Sequence, residues 1–193
     1  MQALPPLDLT RDLKELVQLA GEDGQVADLL DRGLEWLARL APYDLATWFA
    51  MEDGALVVRA AYGPLADERV LNHRLTLADH PALGRVLDER RARAFSEEEH
   101  AGEGDPFDGV LDLEHGHACM VAPLVTQDRV LGVLTLDRAV CEPYAPEVVA
   151  LVEVYAQLLA LALRTAERGE ALGRAHALEK THARTLEAAM AGR

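Results

Sequence analysis

His117 and Cys119 stand two positions apart at the start of the stretch Gly116 to Asp137, and Asp137 closes it. Residues two apart on an extended chain project from one face, so the imidazole and the thiol share a side. Gln127-Asp128 suits a tight turn between two apolar runs, and residues 117 to 137 therefore read as a hairpin whose last residue folds back toward its first. An imidazole, a thiol and a carboxylate then converge at one end of a greasy hairpin. Upstream, the run Asp105-Pro-Phe-Asp108-Gly109 holds two more carboxylates three apart, which point the same way if the turn begun by the proline is helical. Two or three carboxylates with one imidazole and one thiolate form a mixed hard and soft donor set. Such a set suits a mid-row divalent ion such as Fe(II) better than Mg²⁺, which takes oxygen, or structural Zn²⁺, which favours Cys and His. Taken singly, each residue has a plainer use: His-x-Cys on a strand is usually core, and an Asp at a strand end is usually a turn residue.

The elements that must position these groups follow from periodicity. Residues 1–9, with Pro5 and Pro6, form a flexible lead-in, and Thr10 caps a helix carrying Leu13, Leu16, Val17 and Ala20. A second amphipathic helix, with Val26, Leu29, Leu30, Gly33, Leu34 and Leu37, ends by Pro42. The period then becomes that of a strand through Ala46, Trp48 and Ala50, with a return strand from Leu56 to Tyr62 and Asp53-Gly54 as the hairpin turn. A short helical piece leads to a strand at Arg74-Leu-Thr-Leu77. Asp79 caps a helix with Pro81 in its first turn, and Arg93-Ala-Phe95 makes a short strand. Residues 96 to 116 carry many carboxylates and no Lys or Arg, a reservoir of negative potential beside His115 and His117. After the 117–137 hairpin, one helix runs from Glu147 nearly to the C-terminus. Its seven-residue seam is apolar at first (Leu151, Leu158; Val154, Leu161) and decays later, so it packs on the domain and then extends as a coiled coil or linker. The organisation expected is a lead-in over 1–9, one domain over 10–165 and a helical linker over 166–193.

Composition narrows the function classes. With 193 residues, half of them hydrophobic, the chain buries its own core. A net charge of −14 and a pI near 4.8 argue against a phosphate-tracking surface, so no direct nucleic-acid partner is expected. The long apolar segment 148–163 is interrupted by Glu153 and Gln157 and no charged-then-apolar leader opens the chain, which predicts no membrane contact and a cytoplasmic location. Cys119 and Cys141 are the only cysteines, and a chain of this size needs no disulfide staple.

The order of elements, with the phrase Ala-Pro-Leu-Val followed by Val-Leu-Gly-Val-Leu-Thr-Leu-Asp137, resembles the GAF family of sensory domains over about residues 15 to 165. The resemblance implies an α+β fold: a central antiparallel sheet flanked by helices, with a long C-terminal linker helix. A narrower set of matches, Arg74-Leu-Thr-Leu, His80-Pro81, Asp105-Pro-Phe-Asp108-Gly109, His117-Ala-Cys119 and Leu-Thr-Leu-Asp137, is similar to the regulatory domain of nitric-oxide-responsive, sigma-54-dependent activators of the NorR type. That resemblance implies one mononuclear non-haem Fe(II), held by Asp108, His117, Cys119 and Asp137, with Asp105 as ligand or support and Arg74 near the iron. It also implies nitric oxide as the signal and an ATPase domain, on the same or another chain, as the partner. The sequence has no G-x-x-x-x-G-K-[ST] loop, so it is not itself that ATPase.

The expectation is therefore a non-enzymatic sensor that forms a homodimer through its C-terminal helix. Two other readings compete with it. One is an enzyme like the free-methionine sulfoxide reductases, which would need Cys119 and Cys141 within disulfide reach. The other is a generic GAF module that binds a small ligand or only dimerises.

Overall fold

The computed structural model describes residues 26–95, 106–107, 109–111, 117–140 and 142–191, with Lys14 and Gln18, both helical. Most of the helix expected over 10–20, and Asp105, Asp108 and Cys141, lie outside the described residues. In chain order the elements are α1 (Val26–Leu37), β1 (Leu45–Glu52), β2 (Ala55–Tyr62), α2 (Glu68–Leu71), β3 (Arg74–Thr76), α3 (Pro81–Glu89), β4 (Arg93–Phe95), β5 (Ala118–Val125), β6 (Val130–Arg138) and α4 (Pro146–Ala191).

The six strands form one antiparallel sheet in the order β3-β2-β1-β6-β5-β4. Its central strands are covered on both faces, which is why β1, β5 and β6 are apolar along almost their whole length instead of alternating. One face, with Ala46, Trp48, Met120, Ala122, Leu134 and Leu136, packs against α1 and α4. Gly33 allows these helices to meet closely: a Cβ there would lie 3.0 Å from Leu159 Cδ1, and Tyr155 donates its hydroxyl to the Gly33 carbonyl at 2.7 Å. The other face, with Leu45, Phe49, Leu56, Val121 and Val133, is closed by Val70 of α2, by Ala82, Leu83, Val86 and Leu87 of α3, and by Phe107. This second face holds the residues of chemical interest.

Both hairpins have the turns that the sequence predicts. Asp53 and Gly54 adopt φ of 49° and 80°, as a two-residue hairpin loop requires, and Thr126 N–H donates to the Arg129 carbonyl to close the β5–β6 turn. Gly132, with φ of 150°, lets β6 press against β1, since a Cβ there would sit 1.8 Å from the Phe49 carbonyl oxygen. One cap differs from expectation. The N-cap of α3 is His80, because the Asp79 carboxylate instead accepts the Thr76 hydroxyl at 2.6 Å.

The first part of α4 is long and apolar enough to cross a bilayer by length and composition alone, but Val152, Tyr155, Ala156, Leu159, Ala160 and Leu163 are buried within the protein. Burial along α4 stops at Ala166, and Leu172 and Leu178 further on are exposed.

Two glycine substitutions separate close approach from mere flexibility. Gly132→Ala is expected to destabilise the fold by more than ~3 kcal/mol in denaturant unfolding, because a backbone oxygen occupies the place of the new methyl. Gly84→Ala, in the interior of α3 with no atom within 4 Å of the added carbon, should stabilise by about 0.5–1 kcal/mol.

Candidate metal centre

Cys119 on β5 and Asp137 on β6 are directly opposite one another in the antiparallel ladder, and Asp137 faces Leu45 of β1 on its other side. Cross-strand partners hold their Cβ atoms about 4.5–5.5 Å apart on one face of the sheet. Both residues are fully enclosed. Alternation carries His117, 8% exposed, to the side of Cys119 and Val121, while Ala118 and Met120 turn to the helical face. The register thus makes Cys119 and Asp137 neighbours on one face, and alternation assigns His117 to the same end and side of the hairpin.

A carboxylate and a thiol set opposite each other without solvent are costly when ionised unless positive charge or donors compensate them. Tyr144, which donates its hydroxyl to the Pro42 carbonyl at 2.9 Å, has its phenol pushed well up by burial and then by the negative charges of Asp137 and Cys119. Asp137 Oδ2 accepts a hydrogen bond from the Thr135 hydroxyl at 3.3 Å, and Thr135 Oγ1 lies 2.7 Å from Thr47 Oγ1.

The segment after Asp105 is fastened over the same face. His73 Nε2 lies 2.6 Å from the Pro106 carbonyl; a carbonyl only accepts, so the nitrogen carries the proton and donates. Phe107 is fully buried, with its ring centroid 5.6 Å from those of both Phe49 and His73. The N–H groups of Val110 and Leu111 turn back to the Phe107 carbonyl, and Gly109 at φ of 72° makes the exit that the sequence predicts. Phe107 and Gly109, the chain neighbours of Asp108, are therefore both fixed by contacts or turn geometry. Asp105 and Asp108 themselves are outside the described residues, and among the described residues no group of three or more His, Cys, Asp or Glu side chains stands close enough to hold a metal ion. The described donors are a soft thiol and a hard carboxylate opposite one another across the ladder, with His117 at the same end of the hairpin.

Arg74 is not brought to this place. It begins β3, the outermost strand, three strands away from β6, and its neighbour Leu75 takes the inward position while Arg74 is exposed. On the outer side Arg74 adds its charge to the Arg59 hydrogen bond that chiefly lowers the Glu52 carboxyl. A strand of three residues, Arg-Leu-Thr, has no alternation long enough to fix from sequence which face each side chain takes. Sequence reasoning also passed over His73, Thr47 and Thr135. It missed Arg85 as well, which is half-buried on α3 with Nη2 enclosed.

The His73 latch is open to a direct test. His73→Phe preserves a ring but removes the donor to Pro106, and amide exchange over residues 106–111 should speed up about fivefold, the equivalent of one hydrogen bond. His73→Gln, whose amide nitrogen reaches the position of Nε2, should restore the slow rate in the same mass-spectrometric measurement.

Comparison with known proteins places this geometry in a family. A family model described as GAF domain matches residues 25–165. The chain is 32% identical over 116 residues to the anaerobic nitric oxide reductase transcription regulator NorR of Aeromonas salmonicida; the match covers 57% of this chain and 21% of the regulator, so the chain spans about a fifth of that relative's length. Among solved structures, the GAF domain of a phosphoenolpyruvate-protein phosphotransferase from Coxiella burnetii superposes with a TM-score of 0.67 at 21% identity, covering 85% of this chain and 97% of that one. The free methionine-R-sulfoxide reductase of Neisseria meningitidis superposes with a TM-score of 0.65 at 14% identity over 88% and 98% of the two chains. At those identities the superpositions establish the fold alone. Together with the six-stranded sheet and its flanking helices, the family match over residues 25–165 shows that this chain belongs to the GAF domain family.

Proposed function

We propose that this domain senses nitric oxide through one mononuclear non-haem Fe(II) held by Asp108, His117, Cys119 and Asp137, with Asp105 as ligand or support, and so regulates a sigma-54-dependent transcription activator. The observation that carries the reading is the buried cross-strand pair Cys119–Asp137 with His117 on the same side. It is supported by the similarity to a nitric oxide reductase transcription regulator over 116 residues. Bound Fe(II) supplies the affinity for nitric oxide. The protein residues would hold the ion in an enclosed, anionic setting, and Phe107 with the His73–Pro106 hydrogen bond fixes the chain just before Asp108. The ATPase regulated lies on the same chain or on another, and the location that fits this role is the cytoplasm.

A signal must change a contact that differs between two states, since a ligand with equal affinity for both shifts nothing. Tyr144 feels the charges of Asp137 and Cys119 and lies two residues before α4 begins, so it is a candidate contact between that end of the hairpin and the exit helix. On α4, Val154, Leu161, Leu172 and Leu178 are exposed apolar residues, which favours pairing of this helix with a second copy. The enzymatic alternative is disfavoured because Cys119 is fully enclosed, whereas thiol exchange requires an accessible thiolate.

Protein reconstituted without oxygen should bind one iron per chain and give an electron paramagnetic resonance signal that needs both iron and nitric oxide. Cys119→Ser should weaken iron binding by more than ~100-fold, while Glu98→Ala and Arg74→Ala leave it near wild type. Retention of the signal in Cys119→Ser would refute the site. For the exit helix, Leu161→Glu with Leu172→Glu should convert a dimer into a monomer in sedimentation with little loss of thermal stability, because both side chains are exposed within one protomer.

A further inference from the structure

Thr47, Thr135 and Asp137 are all fully enclosed, and they form a chain of contacts across β1 and β6: 2.7 Å between the two hydroxyl oxygens and 3.3 Å from Thr135 Oγ1 to Asp137 Oδ2. The register explains the arrangement. Thr47 is the direct cross-strand partner of Thr135, and Thr135 precedes Asp137 by two, so all three occupy the face that carries Cys119. That face is otherwise built from Leu, Val and Phe, and hydroxyls there must find partners within the protein.

The proton count gives the chain a direction. A carboxylate that ligates a cation is ionised and only accepts, so the Thr135 proton goes to Asp137. A hydroxyl has one proton. Thr135 therefore receives from Thr47, whose own proton is committed to it, and both hydroxyls are polarised toward the carboxylate. One carboxylate oxygen is tied to the sheet, and rotation of the group is restricted.

We propose that Thr135, backed by Thr47, is a positioning residue that orients the Asp137 carboxylate for metal binding; the inference rests on the iron reading above. Partners of this kind, one step removed from a metal, typically contribute 10- to 100-fold in affinity.

The test is a set of Val and Ser variants. Thr135→Val should weaken Fe(II) binding by about 10-fold or more, and Thr135→Ser, which keeps the hydroxyl, should restore it. Thr47→Val should cost less, and its effect on affinity should vanish in the Thr135→Val background, because it acts only through Thr135. The double variant also removes the complication of stranding the Thr47 hydroxyl, so its melting temperature separates damage to the fold from loss of the metal. A second readout needs no iron. Isotope-edited infrared spectra of metal-free protein, assigned with Asp137→Asn, should show the Asp137 carboxylate band shifted in Thr135→Val and returned in Thr135→Ser. Wild-type iron affinity and an unshifted band in Thr135→Val would overturn the inference while leaving the iron site standing. A wild-type protein that binds no iron would remove both, even if the band moves.

Discussion

The register of one antiparallel pair governs this structure. Because β5 and β6 align Cys119 with Asp137, a thiol and a carboxylate from the two open ends of one hairpin share one side of the sheet. A slip of one residue would turn one of the two to the helical face, among Met120 and Leu136, and separate them by the thickness of the sheet. Several local features prevent that slip. The Thr126–Arg129 turn sets the starting point, an irregularity between Leu124 and Val125 absorbs one residue, and Gly132 lets β6 lie closer to β1 than a side chain would permit.

The same register organises the rest of the pocket. Thr135 falls on the Asp137 side and meets Thr47 because β1 pairs with β6 at that level. Phe49, two residues further along β1, offers its ring to Phe107, and the plug thus formed holds the segment that leads into Asp108. The opposite face is free of these polar constraints and serves as a conventional helix-on-sheet core, where α1 and α4 close over Trp48 and Leu134. The sheet therefore carries a helix-covered core on one face and, on the other, a second apolar core with the Cys119–Asp137 pair at one end.

Much of this was legible in the sequence, and the reason is locality. Asp53-Gly54 and Gln127-Asp128 announce hairpins within a few residues, and His-x-Cys places two side chains on one face by alternation alone. The amphipathic spacing from Val26 to Leu37 likewise requires only a helix. What escaped needed long-range register or competition between neighbours. Thr47 and Thr135 are 88 residues apart, and nothing local indicates that they touch. His73 meets Pro106 across 33 residues. Arg74 belongs to a strand too short to reveal its phase. Asp79 has the sequence position of a helix cap, but Thr76 engages its carboxylate. Asp105 and Asp108 lie outside the described residues, of which Pro106, Phe107 and Gly109 are their immediate neighbours.

On the proposed reading, a protein thiolate and carboxylates share one iron. X-ray absorption at the iron edge of anaerobically loaded protein tests it most directly, because sulfur and oxygen scatter distinguishably. The account predicts one sulfur scatterer per iron in a shell otherwise made of oxygen and nitrogen, with the sulfur lost in Cys119→Ser. A wild-type shell of oxygen and nitrogen alone would contradict it.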